Sequence, residues 1–455
     1  MGIDHKRIDE LIEKERKVFL ADYKKIVESP SISSHPEHKK DIEETARIAR
    51  EFLKQAGAEV TVYATKGNPI VFGHFHYSDN APTVAIYNHL DVQPATKGKD
   101  GWTREPFTFT EHEGRFYSRG TTDDKGPAMT AFWAAKIARA LKLPINIEFI
   151  WELEEEIGSP HFMEFLEKAK TTIKADSILV SDTIWIDRGK PSVTMGLRGL
   201  LTIIMKLQTG AKDVHSGVGG GAARNPLAEL IAVISQCFDA KTGNITIPGF
   251  EKTWTRISDE EREHFVQSGF TVENFKKALG LSHLRYEKLS DVVERIWAMP
   301  TFEVHGIAGG YQEAGVKTVV PPQGEAKVSF RLVPPQNPDE IFTLFKNYIH
   351  KLNPDIEVIK EAVLAPYAAP RDLPLRNKIK EALHFAFGIS PAEVREGGSI
   401  GAVASMDKIL QKPILFMGLS LPSDGYHGPD ESFAWEQIQG GVKAFVKYFE
   451  LLTQK

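Results

Sequence analysis

Four short apolar runs, rich in β-branched or aromatic residues, lie at 84–87, 147–153, 178–180 and 414–417. Runs of this length and composition predict buried strands. Three of them break off directly into polar fragments: Asn88-His89-Leu90-Asp91, Glu154-Glu155-Glu156 and Ser181-Asp182. The fourth leads on to Tyr426-His427-Gly428, and a further fragment, Thr122-Asp123-Asp124-Lys125, follows a loop ending at Gly120. The polar groups are thus expected at strand carboxyl ends, where open α/β sheets bind their ligands. Strand patterns also cover 59–64 and 70–75, and helical periodicity covers 8–27, 39–56, 127–141 and 375–387, with Pro127 in the first turn of the third.

Beyond Asp182 the pattern changes. A strand pair fits 197–208, a helix 225–238, strands 316–320 and 325–333, a helix 338–351 and a closing strand 356–363. Strand, helix, two strands, helix, strand is the split βαβ arrangement. The fold class expected is therefore α/β, with a discontinuous domain over 1–193 and 367–455 built on a mixed, mostly parallel sheet flanked by helices. Into it is inserted an α+β domain over 194–366, with a helical elaboration between 248 and 299.

A chain of 455 residues is too long for one ordinary core, which agrees with this division. Hydrophobic content of 42% and charged content of 26% are those of a soluble globular protein. No apolar run reaches the roughly 18 residues of a membrane span, and the start of the chain lacks the apolar stretch of a signal peptide. Cys237 is the only cysteine, so no intramolecular disulfide forms and a cytoplasmic location is expected. With 56 basic against 61 acidic residues and no dense Lys/Arg tract, neither nucleic acid nor membrane is an expected partner.

His89 and Asp91 stand two apart on an extended segment, which turns both side chains to one side. Asp91 could then hold the second ring nitrogen of His89, the pairing that fixes the tautomer of a metal-bound imidazole. Capping of a loop by the same two residues is the competing reading. Asp124, just before a helix, suits a helix-terminus role as well as a ligand role. Three adjacent carboxylates at 154–156 repel unless a cation or proton relieves them, or unless the run is a solvated acidic loop. Asp182 reads equally as a turn residue, and His427 as a loop histidine. Jointly, two histidines and at least three carboxylates at one sheet edge suffice for a two-metal hydrolytic site, with a glutamate left over as base. Carboxylate and imidazole ligands without thiolate suit Zn, Mn or Co. His74 and His76 share one strand face, but nothing else supplies further ligands there, and they are expected to be structural.

The segments His89-Leu90-Asp91-Val92-Gln93-Pro94, Gly120-Thr121-Thr122-Asp123-Asp124-Lys125-Gly126-Pro127, Glu155-Glu156-Ile157-Gly158-Ser159 and Val214-His215-Ser216-Gly217 follow one another across nearly the whole chain. In this order they resemble the two-metal peptidase family of carnosinase-type and cytosolic nonspecific dipeptidases. Aminoacylases, glutamate carboxypeptidases and succinyl-diaminopimelate desuccinylase are more distant relatives. The resemblance implies two divalent ions, zinc favoured, with manganese or cobalt as alternatives. His89 and Asp182 would bind one, Glu156 and His427 the other, and Asp123 would bridge them. Glu155 would be the general base, and Asp91 would orient a ligand. His215 would reach into the partner subunit's site to steady the oxyanion, Arg331 would meet the substrate carboxylate, and Thr318, Gly398 and Ser399 would contact substrate. The inserted domain would then be a lid and a homodimer interface, with hinges near 190–196 and 364–372.

Two positions depart from the family pattern, Ile157 where Ser is usual and Tyr426 where Gly is usual, and both bear on substrate preference. The activity implied is metal-dependent hydrolysis of dipeptides or short peptides. The His-Leu-Asp-Val-Gln-Pro and Asp-Asp-Lys-Gly-Pro forms favour the dipeptidase branch. A deacylase of N-acyl amino acids, a carboxypeptidase and a non-catalytic metal-containing binding protein are the alternatives.

Overall fold

A computed structural model describes residues 4–370 and 374–454. The larger sheet has the strand order Glu59–Tyr63, Ile70–Phe75, Asn146–Glu152, Thr83–His89, Ser177–Val180, Ile414–Phe416. Thr83–His89 runs parallel to both neighbours, and Ile414–Phe416 runs parallel to Ser177–Val180. Only Ile70–Phe75 is reversed, pairing antiparallel on both sides. Every residue of Thr83–His89, Asn146–Glu152 and Ser177–Val180 is buried, as expected of parallel strands covered on both faces. The expected mixed, mostly parallel sheet is present.

Helices supply that cover. His5–Val27, Lys39–Gln55, Lys125–Ala140, Pro374–Phe387 and Trp435–Leu452 contribute to the core on one face, Phe162–Ala169 and Gly401–Leu410 to that on the other. The first helix shows the logic. Asp4 caps it by accepting from the Arg7 amide at 2.8 Å, and Ile8, Ile12, Phe19, Tyr23, Ile26 and Val27 form its buried stripe.

The inserted unit is a four-stranded antiparallel sheet in the order Thr301–Gly309, Gln323–Leu332, Gly199–Gln208, Glu357–Leu364. Gly199–Gln208 alternates buried and more exposed positions, and Pro226–Ile234 and Pro338–Leu352 pack their apolar sides against this sheet. The split βαβ order holds, but one strand is not the expected one. Thr301–Gly309 takes the place assigned to 316–320. That later segment is reduced to Val319–Val320, paired antiparallel with Val214–His215 in a separate ribbon.

A three-stranded sheet joins the two units. Ser192–Leu197 pairs parallel with Ala392–Glu396 and antiparallel with Tyr367–Ala368. The chain therefore leaves this sheet at Leu197 and enters the inserted sheet at Gly199, with Arg198 between. A Cβ on Gly199 would lie 2.5 Å from the Leu364 carbonyl oxygen and 2.7 Å from Pro366, so the outgoing and returning strands pass closely only because this residue has no side chain. The first expected hinge thus falls mostly on a regular strand, and residues 371–372 of the second lie outside the described residues. The helical elaboration lends Phe265, Val293, Trp297 and Ala298 to a small core shared with Val394, tying it to this joining sheet.

Candidate metal centre

His89 ends its strand, Glu155 and Glu156 begin the turn after Glu152, and Asp182 follows Val180, so one sheet edge presents all four. His89 Nε2 lies 3.0 Å from Asp123 Oδ1 and 3.8 Å from Asp182 Oδ2. His427 Nε2 lies 3.0 Å from Asp123 Oδ2 and 3.1 Å from Glu156 Oε2. Two triads of ligand atoms, His89–Asp123–Asp182 and Asp123–Glu156–His427, therefore share Asp123. Ligand atoms about 2.0–2.2 Å from a tetrahedral cation are roughly 3.3–3.6 Å from one another, and these separations bracket that range. Asp123 Oδ2 is buried and makes no well-directed hydrogen bond even with His427 so near, which suits an oxygen meant for a cation.

The electrostatics point the same way. Burial raises Asp182 to about 6 and pushes Glu155 and Glu156 up, with neighbouring carboxylates adding to the effect. Burial opposes a charge on His89, yet Asp123, Asp91 and Asp182 outweigh it and hold its pKa well above the usual range. Asp123 and Glu156 lift His427 to about 11. Burial and mutual repulsion make this acidic cluster costly as bare carboxylates, a cost that divalent cations would relieve. The oxygen and imidazole donors fit Zn, Mn or Co.

The acidic run is sorted by its turn. Glu155–Ile157 is a single 3-10 turn closed by Gly158 at φ 84, which splays successive side chains. Glu154 points away, its Oε1 accepting from the Asn68 amide at 2.8 Å and its Oε2 lying 2.9 Å from His161 Nδ1. Glu156 turns to His427, and Gln93 Nε2 donates to its Oε2 at 2.7 Å. The Glu155 carboxylate makes no hydrogen bond among the described residues; burial first, and then its charged neighbours, set its environment.

Asp91 meets the His89 ring through both its backbone and its side chain. The atom nearest His89 Nδ1 is the Asp91 backbone oxygen at 3.0 Å, while the carboxylate stands at 3.5 Å and accepts from the Glu155 and Glu156 amides, each at 3.1 Å. Asp124 does not cap its helix. Its Oδ2 accepts from Asn88 Nδ2 at 2.7 Å and from the His89 amide at 3.3 Å.

Glu431 is a buried anchor that sequence reasoning missed. It accepts from the Gly120, Thr122 and Asp123 amides at 2.9, 2.8 and 3.0 Å and from Arg119 Nη1 at 2.8 Å. It thereby ties the loop carrying Asp123 to the loop carrying His427, whose backbone is left-handed at φ 54. Strained residues of this kind gather at functional sites. Tyr426 donates its hydroxyl to Asp182 Oδ1. No local pattern announces either residue, since each acts on a segment hundreds of positions away.

The residues expected on the substrate side form two groups. Arg331 Nη1 donates to Ser399 Oγ at 3.1 Å, beside Gly398, and Arg198 Nε donates to the Gly397 carbonyl at 3.2 Å. Burial, then the nearby Arg331, lowers Arg198 to about 10, and two cations with no carboxylate bonded to either among the described residues meet at this glycine turn. His215 and Thr318 adjoin on the exposed ribbon, where the Thr318 carbonyl accepts from the Ser216 amide at 2.9 Å. The His215 ring accepts only from the Gly217 amide, at 3.0 Å, and reaches none of the metal-site residues of its own chain. His74 meets Glu148 at 3.1 Å and His76 meets Asp79 at 3.6 Å; neither joins a metal triad among the described residues.

Known proteins resemble this chain over almost their full length. Beta-Ala-His dipeptidase of Rattus norvegicus is 30% identical over 94% of this chain and 91% of its own. Cys-Gly metallodipeptidase dug1 of Schizosaccharomyces pombe is 30% identical over 100% of this chain and 99% of its own. The crystal structure of the M20 family metallo-carboxypeptidase Sso-CP2 from Sulfolobus solfataricus superposes with a TM-score of 0.89 at 30% identity, covering 96% of this chain and 99% of that one. The profile of peptidase family M20/M25/M40 matches residues 85–451. The chain belongs to peptidase family M20/M25/M40.

Proposed function

We propose that the protein is a metal-dependent dipeptidase, hydrolysing dipeptides or short peptides with Glu155 as general base. The observation that carries the reading is the pair of ligand triads sharing Asp123 with an unbonded Glu155 carboxylate beside them. His89, Asp123 and Asp182 would hold one divalent cation, and Asp123, Glu156 and His427 the other, zinc being favoured over manganese or cobalt. Such cations supply Lewis-acid polarisation and acidify water. Glu155 takes the proton of the attacking water and returns it to the leaving amine. Asp91 positions Glu155 through its backbone amide. Arg331, with Ser399 and Gly398 beside it, would receive the substrate carboxylate, and Thr318 would line the substrate from the lid.

The division into a catalytic domain (1–193 and 367–455) and an inserted lid and dimerisation domain (194–366) belongs to the same reading. So does a homodimer in which the partner subunit supplies the oxyanion donor, because His215 is exposed and makes no contact with the metal-site residues of its own chain among the described residues. Among the described residues no helix is long and apolar enough to cross a membrane. The single buried thiol of Cys237 agrees with a reducing cytoplasm.

The likeness to a metallo-carboxypeptidase keeps a second reading in view, release of carboxyl-terminal residues from longer or blocked peptides. A panel of free dipeptides, their N-acetylated counterparts and longer peptides, each with a chelator control, tests both. Chelator-sensitive cleavage confined to free dipeptides is expected. Preference for blocked or longer substrates would move the assignment to a deacylase or carboxypeptidase, and cleavage of none would favour a binding protein.

A further inference from the structure

We propose that Tyr426 is a positioning residue for Asp182, holding one carboxylate oxygen so that the other faces the cation; the inference rests on the two-metal reading above. The Tyr426 hydroxyl donates to Asp182 Oδ1, while Oδ2 is the oxygen that faces His89 Nε2 at 3.8 Å. Asp182 is buried and accepts no other hydrogen bond among the described residues. Its orientation depends on that single hydroxyl.

The other ligands are secured differently. His89 is set by the Asp91 carbonyl at 3.0 Å, Glu156 by Gln93 at 2.7 Å, and the Asp123 backbone by Glu431 at 3.0 Å. Each hold comes from a segment that the fold already fixes. Asp182 has no such neighbour, and the side chain that reaches it belongs to the residue preceding His427. The turn bearing both is closed by the Gly428 amide on the Gly425 carbonyl at 2.7 Å, with Gly425 at φ 80. Consecutive residues thus touch opposite triads, His427 as a ligand in one and Tyr426 as the support of a ligand in the other. A small residue at 426 could not span to Asp182. Outer partners of metal ligands commonly control affinity by about 10–100-fold.

The test is a chelator-buffered Zn²⁺ titration of the metal-free protein, comparing wild type, Tyr426→Phe and Asp182→Asn. Wild type is expected to bind in two steps, and Asp182→Asn identifies which step belongs to the His89–Asp123–Asp182 triad. Tyr426→Phe, which removes one oxygen from a half-buried ring, is expected to weaken that same step by about 10–100-fold and leave the other unchanged. The melting temperature of the metal-free variant should equal that of metal-free wild type. Two unchanged steps would overturn the assignment, as would equal weakening of both with a lowered melting temperature, which marks a general packing role. Absence of two steps in wild type would overturn the two-metal reading itself and take this assignment with it.

Discussion

Glu155 and Glu156 are adjacent and chemically alike, yet the 3-10 turn gives them different work. Glu156 lies in a ligand triad, whereas the Glu155 carboxylate meets no hydrogen-bond donor among the described residues. Glu155→Gln keeps size and shape while removing the base, so turnover is expected to fall by about 10²–10⁴-fold with both metal-binding steps intact. Glu156→Gln should instead weaken the step of the Asp123–Glu156–His427 triad. Steady-state kinetics beside metal titration separates the two, and loss of a metal step in Glu155→Gln would remove it from the role of base. The strand-end fragments made the ligand candidates legible, because apolar runs ending in acids or histidine carry a local signal. The supports of those ligands carry none. Gln93, Tyr426 and Glu431 matter through contacts that exist only once distant segments meet.

Among the elements, the buried strands were readable from composition, and the helices from their period. The strand Thr301–Gly309 was not. It holds two glycines, lies at a sheet edge and exposes its residues on both faces, so neither an apolar run nor strict alternation marks it. Its register slips between Val304 and Gly306, which breaks the alternation further. Glycines inside helices were equally silent about their neighbours. In Trp435–Leu452, a Cβ on Gly440 would lie 2.1 Å from Phe387 Cε1 and 2.4 Å from its Cζ, and that ring is itself packed edge-on against Trp185 with centroids 4.7 Å apart. Glycine to alanine on an exposed helix face stabilises by roughly 0.5–1 kcal/mol. Here the sign reverses. Gly440→Ala is expected to overpack the contact with helix Pro374–Phe387 and cost about 1–3 kcal/mol. Chemical denaturation should show a lower midpoint, and a raised one would mean that the two helices separate more easily than this packing implies.

At the scale of the whole molecule, the proposed chemistry calls on a residue that stands apart from the metal triads. The metal triads sit at the edge of the larger sheet, while His215 stands on an exposed ribbon of the inserted unit, its ring bonded among the described residues only to the Gly217 amide. Among the described residues Thr301–Gly309 pairs with Gln323–Leu332 on one side and with no strand on the other, and both Val304 and Ile307 on it are exposed. Natural proteins seldom leave such an edge open, and a second copy of the chain would cover it. If two copies exchange His215, each centre needs Glu155 from one subunit and His215 from the other. Glu155→Gln and His215→Ala, each nearly inactive alone, should then complement when mixed under conditions that let subunits exchange. In a mixed dimer the centre with intact Glu155 belongs to the His215→Ala subunit, and it receives the intact histidine of the Glu155→Gln subunit. The opposite centre lacks both groups. Equal mixing makes half of the dimers hybrid with one working centre of two, so activity should recover to about a quarter of wild type. Recovery that requires subunit exchange would establish the shared centre, whereas a mixture as inactive as its components would confine His215 to its own chain and leave the exposed edge without a catalytic purpose.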